Sequence, residues 1–307
     1  MALDLTGLTK YTNETGSELI KEAVLTGRTV DLVTVQGGIK HKETINRLSG
    51  TLTAQAGACG WTAAGTTLLD QRTIEVSPIK INEAICLDDL ESYYTSTMMN
   101  AGSYNEDIPF EQIFAEDKRD KLKALIEELV WKSNKSTGSG NLALADGLVK
   151  LLDAEVVSPY DGTYTIATFG ANAIDIVDAM IAQVNEDVID QEDMTLFMSY
   201  SNYRLYAKAL RDANLFHYNG AENQGQAFSQ MHPGTNVKVV AVKGLNGINR
   251  LVLTPASNIV VGTDLLSDAE DFKVFYSVDN DEVRFLAKFK VGVQVQFINY
   301  VVMHTGA

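Results

Sequence analysis

Residues 136–150 read Ser-Thr-Gly-Ser-Gly-Asn-Leu-Ala-Leu-Ala-Asp-Gly-Leu-Val-Lys, "STGSGNLALADGLVK". A Gly-rich turn ahead of a helix can turn several backbone N–H groups onto an anion, so one reading is a phosphate loop. That reading would make the chain a nucleotide-binding α/β protein. A nucleotide loop needs Gly-Lys-Ser/Thr after its spacer, and the stretch has no Gly-Lys pair. A dinucleotide loop needs Gly-x-Gly-x-x-Gly after a strand. Here the third position after Gly140 is Ala143, and the residues before the loop, ending in Leu129-Val130-Trp131-Lys132, have helical character. The stretch is therefore read as a connector closing a long helix, with a nucleotide-binding enzyme using 138–147 as a remote alternative.

The helix upstream is the strongest element in the sequence. Asp107 is placed to cap it and Pro109 suits its first turn. Phe110, Ile113, Phe114, Leu122, Leu125, Ile126, Leu129 and Val130 recur at helical spacing and form one apolar face. Glu116, Asp117, Arg119, Asp120, Lys123 and Glu127 are assigned to the solvent face. A helix over about 107–135 would be about 40 Å long at 1.5 Å per residue.

Before the helix lies an unusual segment. From 39 to about 72, Gly50, Gly57, Gly60 and Gly65 recur among Thr and Ala, and only Ile45, Leu48, Leu52, Trp61, Leu68 and Leu69 supply apolar bulk. This pattern predicts an extended two-stranded projection rather than a core element. Its strand edges need a covering partner, which points to assembly. Trp61 stands alone among small residues and is a candidate intersubunit anchor, the alternative being that it packs on its own hairpin.

Elsewhere the pattern is mixed α and β. A polar arm occupies residues 1–15, a helix is expected from Ser17 to about Thr26, and Thr29–Val35 alternates like a strand. Strands are expected at 73–77 and 78–81 and a short helix at 87–99. Asn172 is read as the cap of a helix reaching about Asn185, followed by a strand at 194–199 and a helix at 202–211. Residues 236–242 and 250–254, joined through Asn246-Gly247, read as a hairpin. Strands at 272–278 and 283–290 flank a turn at Asp279-Asn280-Asp281, and Gly292 is expected to interrupt the run before 293–298.

Composition bounds the function. The 307 residues are 45% hydrophobic and 21% charged, ample for a large core. The formal net charge of −15 opposes DNA wrapping by the chain as a whole, although it leaves room for a local basic patch. Cys59 and Cys86 are too few for a disulfide framework and form no Cys-x-x-Cys pair. The first residues lack the basic start and apolar stretch of a secretory leader, and no apolar run approaches membrane-spanning length. A soluble chain made in a reducing cytoplasm is expected.

His41, His217, His232 and His304 are dispersed and are read as surface or loop residues; no metal or other cofactor is expected. Glu127-Glu128 and Glu192-Asp193 are read as solvated pairs. Ser199-Tyr200-Ser201 lacks the glycines of a nucleophile elbow.

The order of parts resembles the HK97-type major capsid protein of tailed bacteriophages: arm, Gly-rich projection, β run, long helix, Gly-rich loop, α/β insertion, closing strands. Local segments carry the same resemblance. They are "TIEVSPIKINEAICLDDLESYY" at 73–94, the opening stretch, "LTPASNIVVGTDL" at 253–265 and "AKFKVGVQVQFINYVVM" at 287–303. The resemblance implies an α+β fold with an N-terminal arm (1–30), an E-loop projection (31–75), a P-domain (76–150 and 272–307) holding the spine helix, and an A-domain (151–271).

It further implies a non-enzymatic shell protein, made in a bacterial host cytoplasm and located in the virion. That protein would assemble with itself as pentamers and hexamers, with a portal, with a scaffold or maturation protease and with decoration proteins. It would enclose double-stranded DNA without specific binding and without a membrane. The alternative within the same fold is an encapsulin-type compartment shell. Lys40, Lys42 and Trp61 are the expected intersubunit contacts. Some shells of this kind form Lys–Asn crosslinks, but no such pairing with Asn299 is expected here.

Overall fold

The computed structural model describes residues 22–25, 27–57, 59, 61, 63–86, 110–155, 159–160, 169–190, 193–213, 228–264, 271–277, 279–280 and 282–304. The arm at 1–15, the expected helix at 87–99 and His217 lie outside them. In chain order the elements begin with β1 (Thr34–Gln36), β2 (Lys42–Thr51), β3 (Thr66–Glu75), β4 (Ser77–Cys86) and α1 (Phe110–Lys132). Then come α2 (Leu148–Glu155), β5 (Pro159–Tyr160), α3 (Phe169–Ile181), β6 (Met194–Met198), α4 (Tyr200–Asp212), β7 (Ser229–Met231) and β8 (Lys238–Ala241). The last are β9 (Leu251–Pro255), β10 (Ile259–Thr263), β11 (Asp271–Ser277), β12 (Glu282–Val295) and β13 (Val302–His304).

Among the described residues the strands form three sheets. The first is built around β12, which pairs with β4 along one edge and with β11 and then β10 along the other; β1 joins parallel to β10. The second runs β5-β13-β9-β6-β8-β7, and the third is β2 with β3 alone. The sheets do not follow chain intervals one to one. The strand at 259–263 lies in the first sheet and the strand at 302–304 in the second.

Helix α1 covers one face of the first sheet. Leu122, Ile126, Leu129, Val130 and Trp131 are buried in the same core as Val283, Phe285, Ala287 and Phe289 of β12. Each such apolar side chain contributes about 1.5–3 kcal/mol. At 23 residues α1 spans about 35 Å. One of its charged positions, Glu127, differs from the periodicity reading. Glu127 is buried, accepting the Thr29 amide (3.2 Å) and the Thr29 hydroxyl, which in turn accepts from Trp131 Nε1 at 2.7 Å. Burial pushes the Glu127 carboxyl up, and the two Thr29 donors partly oppose that rise. Lys118 is also buried, with Nζ 2.5 Å from Glu83 Oε2.

The same network changes the reading of 29–35. Asp31 and Val33 donate backwards to Gly27 and Thr29, so 29–33 turns beneath the helix and only 34–36 is strand. Alternation could not reveal this, because the deciding partner, Glu127, is remote in sequence.

Strand pairing departs from the sequence expectation at two further places. The hairpin expected from 236–242 and 250–254 does not form. β8 and β9 lie on opposite edges of β6, parallel and antiparallel to it. β6 is buried at every position, so it needs a strand on both sides. Likewise Gly292 does not interrupt β12, which runs 14 residues through it. A Cβ at Gly292 would lie 2.1 Å from the Glu75 carbonyl oxygen, so the glycine admits a crossing backbone.

His232 and His304 are buried rather than surface residues. His232 joins Tyr206 OH (2.5 Å, through Nδ1) to Asp178 (2.7 Å, through Nε2), tying α4 to α3.

The Gly-rich loop ends α1 and uses its own donors. Ser136 and Thr137 N–H donate to Asn134 Oδ1, Gly138 N–H to the Asn134 carbonyl, and Lys135 N–H to Asp146 Oδ1. Lys150 is paired with Asp146 at 2.5 Å. A Cβ at Gly138 would lie 2.5 Å from the Asn134 and Leu142 carbonyl oxygens. These amides hold a helix terminus, and the phosphate-cradle reading loses its donors.

Candidate assembly interface

The β2–β3 hairpin is the feature that a single subunit leaves unfinished. Its ten-residue strands pair in register from Lys42↔Glu75 to Thr51↔Thr66, and no other strand extends that ladder among the described residues. At the base, Ile39, Ile45, Ile74, Val76 and Val260 make a small buried cluster. Beyond it no apolar side chain is buried among the described residues of the hairpin. Leu48, Leu68 and Leu69 are largely exposed, and Leu52 and Trp61 are fully so, with Trp61 at 95%. Trp61 therefore does not pack on its own hairpin.

Charge is as unevenly distributed as burial. Between Arg47 and Asp70 no residue is charged. The charges gather at the base, where they brace the hairpin. Arg47 pairs with Asp70, donates to the Gln296 carbonyl at 2.8 Å and stacks 5.8 Å over Phe297. Arg72 pairs with Glu155 at the end of α2. Glu75 lies 2.9 Å from both Lys42 and Lys135, and these two lysines hold its carboxyl down to about 2. The bracing residues Arg47, Arg72 and Glu155 were not picked out by sequence reasoning. A faint signal exists, since Arg47 and Asp70 flank the uncharged run and would face each other in any hairpin closed across it.

The candidate contacts are thus split. Lys42 is engaged within the subunit by Glu75. Lys40 is exposed, and its carbonyl accepts from Lys290 Nζ at 3.0 Å. Both sit at the base, away from Trp61 in the projecting loop. Chemically, the tip offers dispersion and desolvation of aromatic and leucine surface, with no charge to strip of water.

No family model and no curated protein matches the sequence. Solved structures do match. A chain of the satellite phage P4 procapsid, solved with its size-determination protein, is 12% identical with a TM-score of 0.61. The match covers 95% of this chain and 90% of that one. A chain of Gordonia phage Cozz is 13% identical with a TM-score of 0.56, covering 90% and 85%. A virus-like particle from Pyrococcus furiosus is 10% identical with a TM-score of 0.52, covering 94% and 96%. The fold is therefore the α+β, HK97-type fold of phage capsid shells, over nearly the whole chain.

Proposed function

We propose that this protein is the major capsid protein of a tailed bacteriophage, a structural subunit that closes in many copies into an icosahedral shell around double-stranded DNA. The observation that carries the proposal is the uncharged, apolar-tipped hairpin on a shell-type fold, a surface that no described residue of the chain covers. Residues 1–30 act as arm, 31–75 as the projection, 76–150 with 272–307 as the peripheral domain, and 151–271 as the axial domain, the last two exchanging the strands at 259–263 and 302–304. The subunit works without catalysis, is made in the bacterial cytoplasm and ends in the virion. It meets a portal and a scaffold or maturation protease, and decoration proteins on its outside. The net charge of −15 suits a container that holds its cargo without gripping it.

The test is light scattering and negative-stain microscopy of the full chain across concentration, with and without co-expressed scaffold. Closed particles or rings are expected. A chain that stays monomeric under all these conditions overturns the proposal. The likeness to the Pyrococcus furiosus particle favours a second reading, an encapsulin-type compartment. The contents of purified particles decide between them, phage DNA against a packaged enzyme.

A further inference from the structure

One edge of the second sheet is closed by β7, which is three residues long and pairs, among the described residues, with β8 alone. Two features make this strand costly to keep in place. Phe228, just before it, has a φ of 61° and is the one non-glycine residue with positive φ among those described. That region crowds a Cβ, and a bulky side chain stays there only when its surroundings hold it. Within the strand, Gln230 Nε2 is buried without a hydrogen-bond partner among the described residues. Water would satisfy that amide if the strand lifted.

Contacts at its two ends hold β7 down. At the start, the Phe228 carbonyl accepts from the Ala241 amide at 3.1 Å and from Arg28 Nη2 at 2.8 Å. The Phe228 ring meets Tyr200 and Tyr203 of α4 edge-on, with centroids 5.0 and 5.9 Å away. At the far end, the His232 amide donates to the Val237 carbonyl at 2.9 Å, and its ring is tied to α3 and α4. Of these groups Arg28 alone comes from outside the second sheet and its two helices. It belongs to the turn whose next residue, Thr29, bonds Glu127 and receives Trp131 Nε1. Just upstream, Ala23 and Val24 are buried in the α1 core, and Glu22 pairs with Arg119 at 3.1 Å. The segment that lies on α1 thus also reaches the start of β7.

We propose that β7 is a metastable edge strand and Arg28 its catch, so that docking of the 27–33 turn beneath α1 governs whether the β8 edge is covered. With the turn seated, the guanidinium fixes the Phe228 carbonyl and, with it, the left-handed backbone. With the turn withdrawn, Phe228 relaxes towards negative φ, its carbonyl swings off the Ala241 amide, and Gln230 gains water. The two states differ by discrete contacts at both sites, which is what coupling between them requires. The coupling lies within one subunit and operates whether or not copies assemble.

Hydrogen exchange of the full chain, resolved to single amides, is the test. The Ala241 amide reads the β7 side of β8, and the next amide, Val242, which donates to the Met198 carbonyl at 2.9 Å, reads the β6 side. Arg28→Ala should speed exchange at Ala241 at least about fivefold, the loss of one hydrogen bond from a charged donor, and leave Val242 unchanged. Thr29→Val keeps Arg28 but loosens the turn from Glu127, and should speed Ala241 in the same direction. Phe228→Gly removes the strain, so Arg28→Ala in that background should change Ala241 less than it does in the parent. Exchange at Ala241 that is unchanged by Arg28→Ala, or by a folded Thr29→Val, overturns the proposal. Where Thr29→Val unfolds the subunit and all amides accelerate together, the Phe228→Gly background decides, and an undiminished effect of Arg28→Ala there overturns the catch. None of these outcomes bears on the shell reading, which particle formation tests.

Discussion

β12 and β3 are both long strands, yet they differ in what completes them. β12 alternates buried and half-exposed along most of its length, has partners on both edges, and sits on the helix α1. β3 has one partner, and from Thr66 to Leu69 it buries nothing. Apolar residues stabilise the first strand from inside the subunit. In the second, Leu68 and Leu69 are exposed and add nothing to the core of the described subunit. The same β chemistry serves folding in one region and, on the function proposed above, association in the other, and the crossover falls at Arg47 and Asp70.

The largest expected effect separates the two regions outright. Replacing 48–69 by a tight turn between Arg47 and Asp70 should leave a cooperatively melting subunit and abolish assembly. Long surface insertions cost little loop entropy, about 0.6 kcal/mol per doubling, and the excised residues are exposed or half-exposed wherever described. A wider cut, from Gly38 to Thr73, would remove the buried Ile39 and Ile45 and is expected to lower the melting point as well. Circular-dichroism melting beside size-exclusion chromatography reads both. A narrow-cut variant that unfolds would show that the hairpin belongs to the core.

In the core, Trp131→Ala should cost about 3–5 kcal/mol of stability, as large-to-small changes at fully buried aromatics do. Trp131 is fully buried, its ring lies 5.3 Å from that of Phe197, and its Nε1 holds Thr29. Denaturant titration checks this. Trp61→Ala, the other tryptophan, should leave the subunit's midpoint within about 0.5 kcal/mol yet weaken assembly by about 2 kcal/mol per contact. An equal effect of the two substitutions on melting would erase the distinction between the regions.

The smallest effects concern pH, and they have opposite signs. Glu75 at the hairpin base has its carboxyl held down to about 2 by Lys42 and Lys135. Against an unfolded value of about 4.3, its contribution is complete above that value and is lost as pH falls towards 2. Glu127 in the core is raised by burial, so the folded state binds its proton more readily. Stability then falls as pH rises through its folded value and is regained on acidification. Melting series on Glu75→Gln and Glu127→Gln should show the parent losing ground to the first variant between about pH 4.3 and 2. Against the second, the parent should gain ground as pH drops from neutrality. Parallel curves for either pair would remove that group from the account.

Much of this was legible in the sequence because the signals are local. The apolar stripe at Leu122, Ile126, Leu129 and Val130 fixes a helix whatever surrounds it. Gly50 and Gly65, with Thr and Ala between them and no charge, describe a hairpin that has no core of its own to join. Gly138 and Gly140 after a long helix spell a terminus rather than a phosphate site. Other features needed the packed chain. Glu127 looks like any exposed helix carboxylate until Thr29 comes beneath it, and then 29–33 cannot be a strand. The hairpin across Asn246-Gly247 has the right turn residues, but the wholly buried β6 claims both of its strands. His232 is tied to Tyr206 and Asp178, and nothing in its sequence neighbourhood announces them. Periodicity and turn chemistry report what a segment does with its own neighbours, so the sequence alone determined the helix, the projection and the connector. Which strand lies beside which and which charges are buried depend on contacts between residues far apart in the chain, and those the tertiary structure decided.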